Sequence, residues 1–258
     1  MWRRLRQAWR TASERRALTR RAIPDADWRR TLKRFPFLAL RDPQDAAELR
    51  RLTSLFLDRK EFSGVGGLSL TDDIAVAIAA QACLPVLRLG LAPYDSFVGI
   101  VVHPGQVRAR RVITDEDGVV HDYEETLSGE AMKGGPVMLS WQDVRRAGRS
   151  AAQGYNVVIH EFAHVLDLGD GEADGVPPLP AGQREPWRQL LTQEYEDFCL
   201  RVDAGDDTVL DPYGAEDPGE FFAVASEAFF VSPASMRAEH PALYELLCGY
   251  YRQDPAMA

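Results

Sequence analysis

The chain has 258 residues, 45% of them hydrophobic and 27% charged, a composition typical of a globular protein and unlike that of a disordered one. Its three widely spaced cysteines form no CxxC pair, which argues against a disulfide framework and a thiolate zinc site and favours a reducing compartment. A formal net charge of -9 makes a nucleic-acid enzyme unexpected, because phosphate binding needs positive charge at the site.

The amino-terminal segment, residues 1–34, is strongly basic. It holds twelve Arg or Lys residues against three acidic residues, so it carries +9 and the rest of the chain carries -18. The segment predicts a helix that packs through its apolar residues or touches an acidic patch, a nucleic acid or an anionic membrane surface. It has no apolar core of a signal peptide, and the most apolar stretch, residues 74–91, is broken by polar residues and a proline. We therefore expect a cytoplasmic protein without a membrane span.

Helical periodicity dominates the part of the chain that follows. Apolar residues recur at helical spacing over residues 46–58, and residues 70–84 predict a second helix that begins at Asp72 and Asp73. The glycine-rich segment between them, residues 63–67, predicts a loop. It lacks the GxGxxG pattern and follows no predicted strand, so we do not expect it to bind phosphate.

Strand signals follow in the middle of the chain, and helical signals return after them. Residues 97–102 and 136–141 predict strands, with a hairpin turn at residues 115–118 between them. Residues 156–168 and 218–231 predict helices. The predicted order is helices, a small antiparallel sheet and helices again. This order is typical of an α+β domain with a helical amino-terminal part.

The most informative segment is HEFAH, which begins at His160. Asn156 is suited to cap the start of its helix and Gly169 to stop its end, with no proline between them. His160 and His164 lie one turn apart on one face, so both imidazoles can reach one ion, and zinc accepts such nitrogen ligands. Glu161 then sits beside the open position of the metal, where a general base removes a proton from water.

Coincidence is the alternative explanation of this segment, because the chain has five histidines and a buried histidine can be an ordinary core residue. The rest of the predicted helix is almost entirely apolar, however. Burying two imidazoles and a carboxylate there would be costly without a partner such as a metal ion. The zinc interpretation is therefore favoured.

A catalytic zinc site uses three protein ligands and leaves the fourth position to water, so a third ligand is needed. The remaining histidines are candidates: His103, His121 and His240. A better candidate is Glu220, which shares one face of an apolar predicted helix with Glu227, because two carboxylates on such a face are expected to point at a cation. Glu220 could instead complete a capping box with Asp217, which would give it a structural role.

Further carboxylates could orient the imidazoles by accepting hydrogen bonds from them. Asp167 follows His164 by three residues and His160 by seven, so it lies on the same helix face, and Glu227 is a second candidate for this role. Either could instead be an ordinary surface carboxylate. The predicted strand at residues 135–141 could offer its edge to an extended peptide.

Two resemblances follow from these segments. HEFAH, followed about sixty residues later by a tyrosine and then EFFA, is similar to the gluzincin peptidases, in which two histidines and a glutamate hold zinc. A wider set of segments resembles the Mlc titration factor family (MtfA type) over essentially the whole chain, most closely over residues 94–255. These segments are LSGEA at 127–131, GPVMLSW at 135–141, NVVIHEFAHVLD at 156–167, DPGE at 217–220 and YYRQDP at 250–255.

The resemblance implies a zincin-like metallopeptidase with one domain over residues 1–258, one zinc ion per chain and Glu220 as the third ligand. It also implies that Tyr213 stabilises the transition state by donating a hydrogen bond to the oxyanion, although ordinary packing before the next helix would explain this tyrosine as well. The expected activity is hydrolysis of peptide or aminoacyl-amide bonds, with an aminopeptidase as one form of it.

Two alternatives to the peptidase remain open. The Mlc titration factor family is named for capturing a transcriptional repressor, so the chain could act mainly as a regulatory binding protein. Its zinc site could also be closed and structural, with His121 or Glu227 as a fourth protein ligand.

Overall fold

The computed structural model of this chain describes residues 12–114, 120–127, 129–131, 134–147 and 154–257. The hairpin turn predicted at residues 115–118 and the first eleven residues of the basic segment lie outside the described residues.

The first part of the described chain is helical. Its helices are α1 (12–20), α2 (Asp25–Arg34), α3 (Pro43–Arg59) and α4 (Asp72–Cys83). Helix α3 begins where the Asp42 carboxylate accepts the N–H of Asp45, and α4 begins where the Thr71 hydroxyl accepts the N–H of Ile74. The helices predicted over residues 46–58 and 70–84 are therefore confirmed as α3 and α4, with small differences at their ends.

The described part of the basic segment packs on these helices through ion pairs. Arg20 contacts Asp58 of α3 at 2.6 Å, and Arg30 contacts Asp73 of α4 at 3.0 Å. Trp28 of α2 is buried in the core. The described residues of the basic segment therefore contact acidic residues of the same chain, which is one of the surfaces considered for this segment.

The main sheet contains β1 (Glu61–Gly64), β2 (Gly99–His103), β5 (Gly129–Ala131) and β6 (Val137–Ser140), in the order β1-β2-β6-β5. Strand β1 is parallel to β2, β2 is parallel to β6, and β5 is antiparallel to β6. The prediction of an antiparallel sheet is therefore wrong: this sheet is mixed. Long connections such as the one through α4 permit parallel pairing, and the sequence pattern of a strand does not report its direction.

Strand β1 also corrects the prediction of a loop at residues 63–67, because the strand extends to Gly64 and precedes the remaining glycines. Strands β3 (Val107–Thr114) and β4 (Val120–Leu127) form a separate antiparallel pair in which Thr114 lies opposite Val120. Strand β6 has β2 on one side and β5 on the other. The segment at residues 135–141 therefore offers no free edge to a peptide, contrary to prediction. Among the described strands, β5 is the edge of the sheet on that side and β1 is the edge on the other.

The remaining described chain is again helical. Its helices are α5 (Trp141–Ala147), α6 (Val157–Asp167), α7 (Arg184–Ala204), α8 (Pro218–Val231), α9 (Pro233–Glu239) and α10 (Pro241–Tyr251). The predictions for residues 156–168 and 218–231 are confirmed by α6 and α8, whereas α5, α7, α9 and α10 were not predicted. Within the described residues, no helix is both long enough and apolar enough to cross a bilayer.

An aromatic cluster packs α6 against α3 and against the segment that precedes β2. The ring of Phe162 lies 5.0 Å from that of Tyr94, 5.7 Å from that of Phe56 and 5.8 Å from that of Phe97. All four side chains are buried. Because Phe162 occupies the face of α6 that packs inward, His160 and His164 are left on the face that meets α8.

Candidate metal centre

The start of α6 is fixed by Asn156. Its side-chain oxygen accepts the N–H of Ile159 at 3.0 Å, and its amide nitrogen donates to Gln81 of α4 at 2.9 Å. Both residues are fully buried. This cap ties the first turn of α6, and hence His160 one turn later, to a rigid neighbouring helix.

The start of α8 is fixed by Asp217. One oxygen of its carboxylate accepts the N–H groups of Gly219 at 2.7 Å and Glu220 at 2.9 Å, and Pro218 occupies the first helical position. The side chain of Glu220 is directed at α6 and contacts both histidines of the HEFAH segment.

These contacts bring three potential ligand atoms together. Oε2 of Glu220 lies 3.0 Å from Nε2 of His160 and 3.3 Å from Nε2 of His164, and the two nitrogens are 3.2 Å apart. Ligand atoms bound to a tetrahedral zinc ion at about 2.0–2.1 Å are about 3.3–3.4 Å from one another. His160, His164 and Glu220 therefore have the spacing of a zinc site, and among the described residues they are the one group of this kind.

The chemistry of these atoms also fits a cation. Nδ1 of His160 is 2.8 Å from Oε1 of Glu227, so the neutral imidazole donates its proton there and turns the lone pair of Nε2 toward Glu220. Oε2 of Glu220 is buried and has no hydrogen-bond partner. When His160 is neutral, the lone pair of its Nε2 therefore faces the carboxylate of Glu220, an arrangement that a bound cation stabilises.

The carboxylates of Glu220 and Glu227 create a negative potential at the site, which favours a positive charge beside them. Burial would raise the pKa of Glu220, but its contacts with His160 and His164 lower this pKa to about 2. Burial would lower the pKa of His160, but Glu220 and Glu227 raise it well above its ordinary value. Either a protonated imidazole or a metal ion would supply the required charge.

Glu227 links His160 to the start of α6. While one of its oxygens contacts Nδ1 of His160, the other accepts the backbone N–H of Asn156. The carboxylate is 2% exposed, so solvent does not compete for these bonds. Glu227 thereby fixes both the tautomer and the orientation of this imidazole.

Glu161 lies on a neighbouring stripe of α6 and faces strand β5 instead of α8. It is 5% exposed and abuts the backbone of Gly129. Burial raises the pKa of Glu161 to about 7, although His160 and His164 act in the opposite direction. A carboxylate with such a pKa can both accept and release a proton near neutral pH.

Tyr213 lies at the side of the histidines. It belongs to a 3₁₀ turn over Pro212–Ala215, which starts where the Asp211 carboxylate accepts the N–H of Tyr213 at 3.0 Å. The centroid of its ring is 6.1 Å from that of His160, and the residue is 40% exposed. The structure thus brings this tyrosine to the site predicted for it.

Asp167 makes a different contact from the one expected. Its Oδ2 accepts the N–H of Gly175 at 2.8 Å, whereas its Oδ1 is buried without a hydrogen-bond partner, so it bonds to neither imidazole. Burial raises the pKa of this carboxyl to about 7. Asp167 therefore anchors the loop that leaves α6.

Two of the other histidines considered as ligands, His103 and His240, are not part of this group. His240 contacts Glu194 of α7 through Nδ1 at 3.1 Å, and His103 ends strand β2. His121 belongs to β4, whose side chains are outside the described part of the chain. Sequence reasoning assigned no role to Gly129, although this glycine lies in the LSGEA segment at 127–131 that carries part of the family resemblance.

Comparison with known proteins agrees with the resemblance inferred from the sequence. Residues 7–252 match the family described as glucose-regulated metallo-peptidase M90. Mlc titration factor A of Klebsiella pneumoniae is 35% identical over 88% of this chain and 86% of its own length. Mlc titration factor A of Pectobacterium atrosepticum is 36% identical over 86% of this chain and 84% of its own length. An uncharacterized protein of Synechocystis is 39% identical over 86% of this chain and 82% of its own length.

Proposed function

Because this chain belongs to the glucose-regulated metallo-peptidase M90 family, we propose that it is a zinc-dependent peptidase that hydrolyses peptide or aminoacyl-amide bonds. The observation that carries this proposal is the convergence of His160, His164 and Glu220, with their ligand atoms 3.0 to 3.3 Å apart. The adjacent Glu161 supports a catalytic site, since a purely structural zinc site requires no base beside it.

Each residue has a distinct role in this proposal. His160, His164 and Glu220 hold one zinc ion per chain, which when bound polarises the scissile carbonyl and lowers the pKa of water to about 7. Glu161 accepts a proton from the attacking water at its carboxylate and passes it to the leaving amine. The Tyr213 hydroxyl donates a hydrogen bond to the oxygen on which negative charge develops.

We also propose that residues 1–258 form one zincin-like domain. A single buried cluster supports this, because it includes Trp28 of α2, Phe56 of α3, Phe162 of α6 and Tyr251 of α10. The edge strand β5 beside Glu161 gives an extended peptide a place to pair. An aminopeptidase is one form that this activity could take.

The second candidate is a regulatory role, and the name Mlc titration factor A of two relatives favours it. In that case the chain binds a transcriptional repressor protein and its zinc is mainly structural. The two roles are compatible, since a binding surface and a peptidase site can share one domain.

The decisive experiment compares wild type, Glu161→Gln and His160→Ala in zinc content and in cleavage of a broad peptide library. We expect about one zinc in the first two proteins and little in the third, with hydrolysis by wild type alone. Hydrolysis by Glu161→Gln at the wild-type rate would remove the base from the mechanism. A zinc-loaded wild type that cleaves no peptide would favour the regulatory role.

A further inference from the structure

Beside its histidines, helix α6 carries a second stripe formed by Glu161 and Val165, which Leu168 continues just after the helix ends. These residues follow one another at helical spacing, so Val165 lies one turn, about 6 Å, beyond the carboxylate along the axis. Strand β5 runs in the same direction, because Gly129 touches Glu161 and the chain then continues to the turn before β6. The stripe and this turn face each other.

Between them lies a cavity of about 330 Å³. Its walls include Phe97, Val137 and Val165, which are buried core residues, and the backbone of Gly135. The cavity has the size and lining for one large apolar side chain, such as leucine or phenylalanine.

The charged group at the rim of this cavity is already neutralised. Asp170 contacts Arg184 at 2.6 Å and also caps the N–H of Glu172. A cationic side chain in the cavity would therefore compete with an existing ion pair, and an acidic one would find no positive group among the lining residues. Both outcomes favour an apolar occupant.

The direction of β5 decides which part of a peptide reaches the cavity. Strand β5 pairs with β6 on one side, and no described strand pairs with its other side. An extended peptide added there pairs more stably when antiparallel. Because β5 runs toward the cavity, such a peptide runs away from it and leaves its amino-terminal part beside Val165.

We propose that this cavity binds the apolar side chain of the substrate residue on the amino side of the scissile bond. The inference rests on the proposed peptidase function, which it extends to a substrate class: peptides with a leucine- or phenylalanine-sized residue before the cleaved bond. Val165 and Leu168 contact that side chain and determine specificity.

Binding is tested separately from cleavage by calorimetric titration of the zinc-loaded protein with alanine, leucine and aspartate hydroxamates. The hydroxamate group ligates the metal in all three, so differences report the side chain. We expect leucine hydroxamate to bind about 10- to 100-fold more tightly than alanine hydroxamate, because its additional carbons become buried. Aspartate hydroxamate should bind no better than alanine hydroxamate.

Val165→Phe fills the cavity and should reduce the leucine-to-alanine preference to less than about 3-fold. Val98→Phe is the matched control, because Val98 is 53% exposed and does not line the cavity, so the preference should persist. If Val165→Phe misfolds or loses zinc, Leu168→Ala, at a half-buried wall position, should still weaken the preference at least 3-fold.

Cleavage-site mapping of a peptide library by mass spectrometry then assigns the side of the bond. Apolar residues enriched before the cleaved bond support the proposal, and enrichment after the bond overturns it. Equal binding of leucine and alanine hydroxamates by wild type also overturns it, whether or not peptides are cleaved. Selective hydroxamate binding without peptide cleavage would support the apolar side-chain site and contradict the peptidase function.

Discussion

The backbone of Gly129 lies against the carboxylate of Glu161 so closely that a methyl group on Gly129 would come within 2.3 Å of Oε1 and 2.6 Å of Cδ. Only glycine leaves the proposed base in its present position. The contact also places strand β5 directly beside the proposed catalytic carboxylate of helix α6.

Gly129→Ala should therefore displace Glu161 by about 1 Å without touching the histidines. A misplacement of that size lowers catalysis by about 10²-fold, because proton transfer depends on geometry. We expect kcat for peptide hydrolysis to fall by that amount while elemental analysis still finds zinc.

Gly249→Ala is the control for this substitution, because Gly249 is in helix α10 and its added methyl group would meet nothing within 4 Å apart from the adjacent backbone of its own helix. It should keep full activity and gain slightly in stability. Wild-type kcat in Gly129→Ala would mean that Glu161 tolerates the methyl group or is not the base.

The two glutamates of α8 should differ in their effect on zinc affinity. Glu220→Ala removes an atom from the ligand group, whereas Glu227→Ala removes a group that orients His160, and such orienting groups typically alter affinity by about 10–100-fold. We expect Glu220→Ala to weaken zinc binding well beyond that range in competition with a chromogenic chelator. The reverse order would assign Glu227 as the ligand and leave Glu220 with a capping role.

The raised pKa of the buried Asp167 carboxyl should make the stability of the protein depend on pH. Burial raises the pKa of its carboxyl from 3.8 to about 7, so between these values the folded protein binds a proton that the unfolded chain has released. The contribution of Asp167 to the free energy of unfolding should fall as pH rises from about 4 to 7, by at most about 4 kcal/mol.

Asp167→Asn tests this dependence, because the amide oxygen can still accept the N–H of Gly175 but does not titrate. Urea unfolding at several pH values should show the variant gaining stability relative to wild type as pH rises. A difference between the two proteins that is constant from pH 4 to 7 would contradict the assigned burial effect.

The sequence predicted features that depend on neighbouring residues alone, such as where a helix begins and which of its faces is apolar. The family resemblance is confirmed, and α6 and α8 begin at the capping residues that were expected, Asn156 and Asp217. The apolar faces of these helices left His160, His164 and Glu220 on sides that the fold brings together.

Features that depend on distant parts of the chain escaped prediction. Strand β1 is largely exposed and owes its conformation to pairing with β2, while α7 buries only Trp187, Leu191 and Phe198 along its length and so has a weak apolar stripe. The directions of the strands and the approach of Gly129 to Glu161 are likewise properties of the assembled fold.

Tyr213→Phe should lower kcat and leave KM and zinc content nearly unchanged. The hydroxyl is proposed to act on charge that develops only in the transition state, so its removal affects turnover more than binding. Because Tyr213 is 40% exposed, water weakens its field, and we expect a loss of about 10²-fold at most, smaller than that of Glu161→Gln.

Tyr195→Phe separates this catalytic role from a positional one. Tyr195 donates its hydroxyl to the carbonyl of Ala215 at 3.0 Å, which holds the 3₁₀ turn that carries Tyr213. Loss of this bond should lower the free energy of unfolding by about 1 kcal/mol and reduce kcat far less than Tyr213→Phe does. If both variants lost the same fraction of kcat, the effect of Tyr213 would come from the position of the turn, and its hydroxyl would not be the donor to the oxyanion.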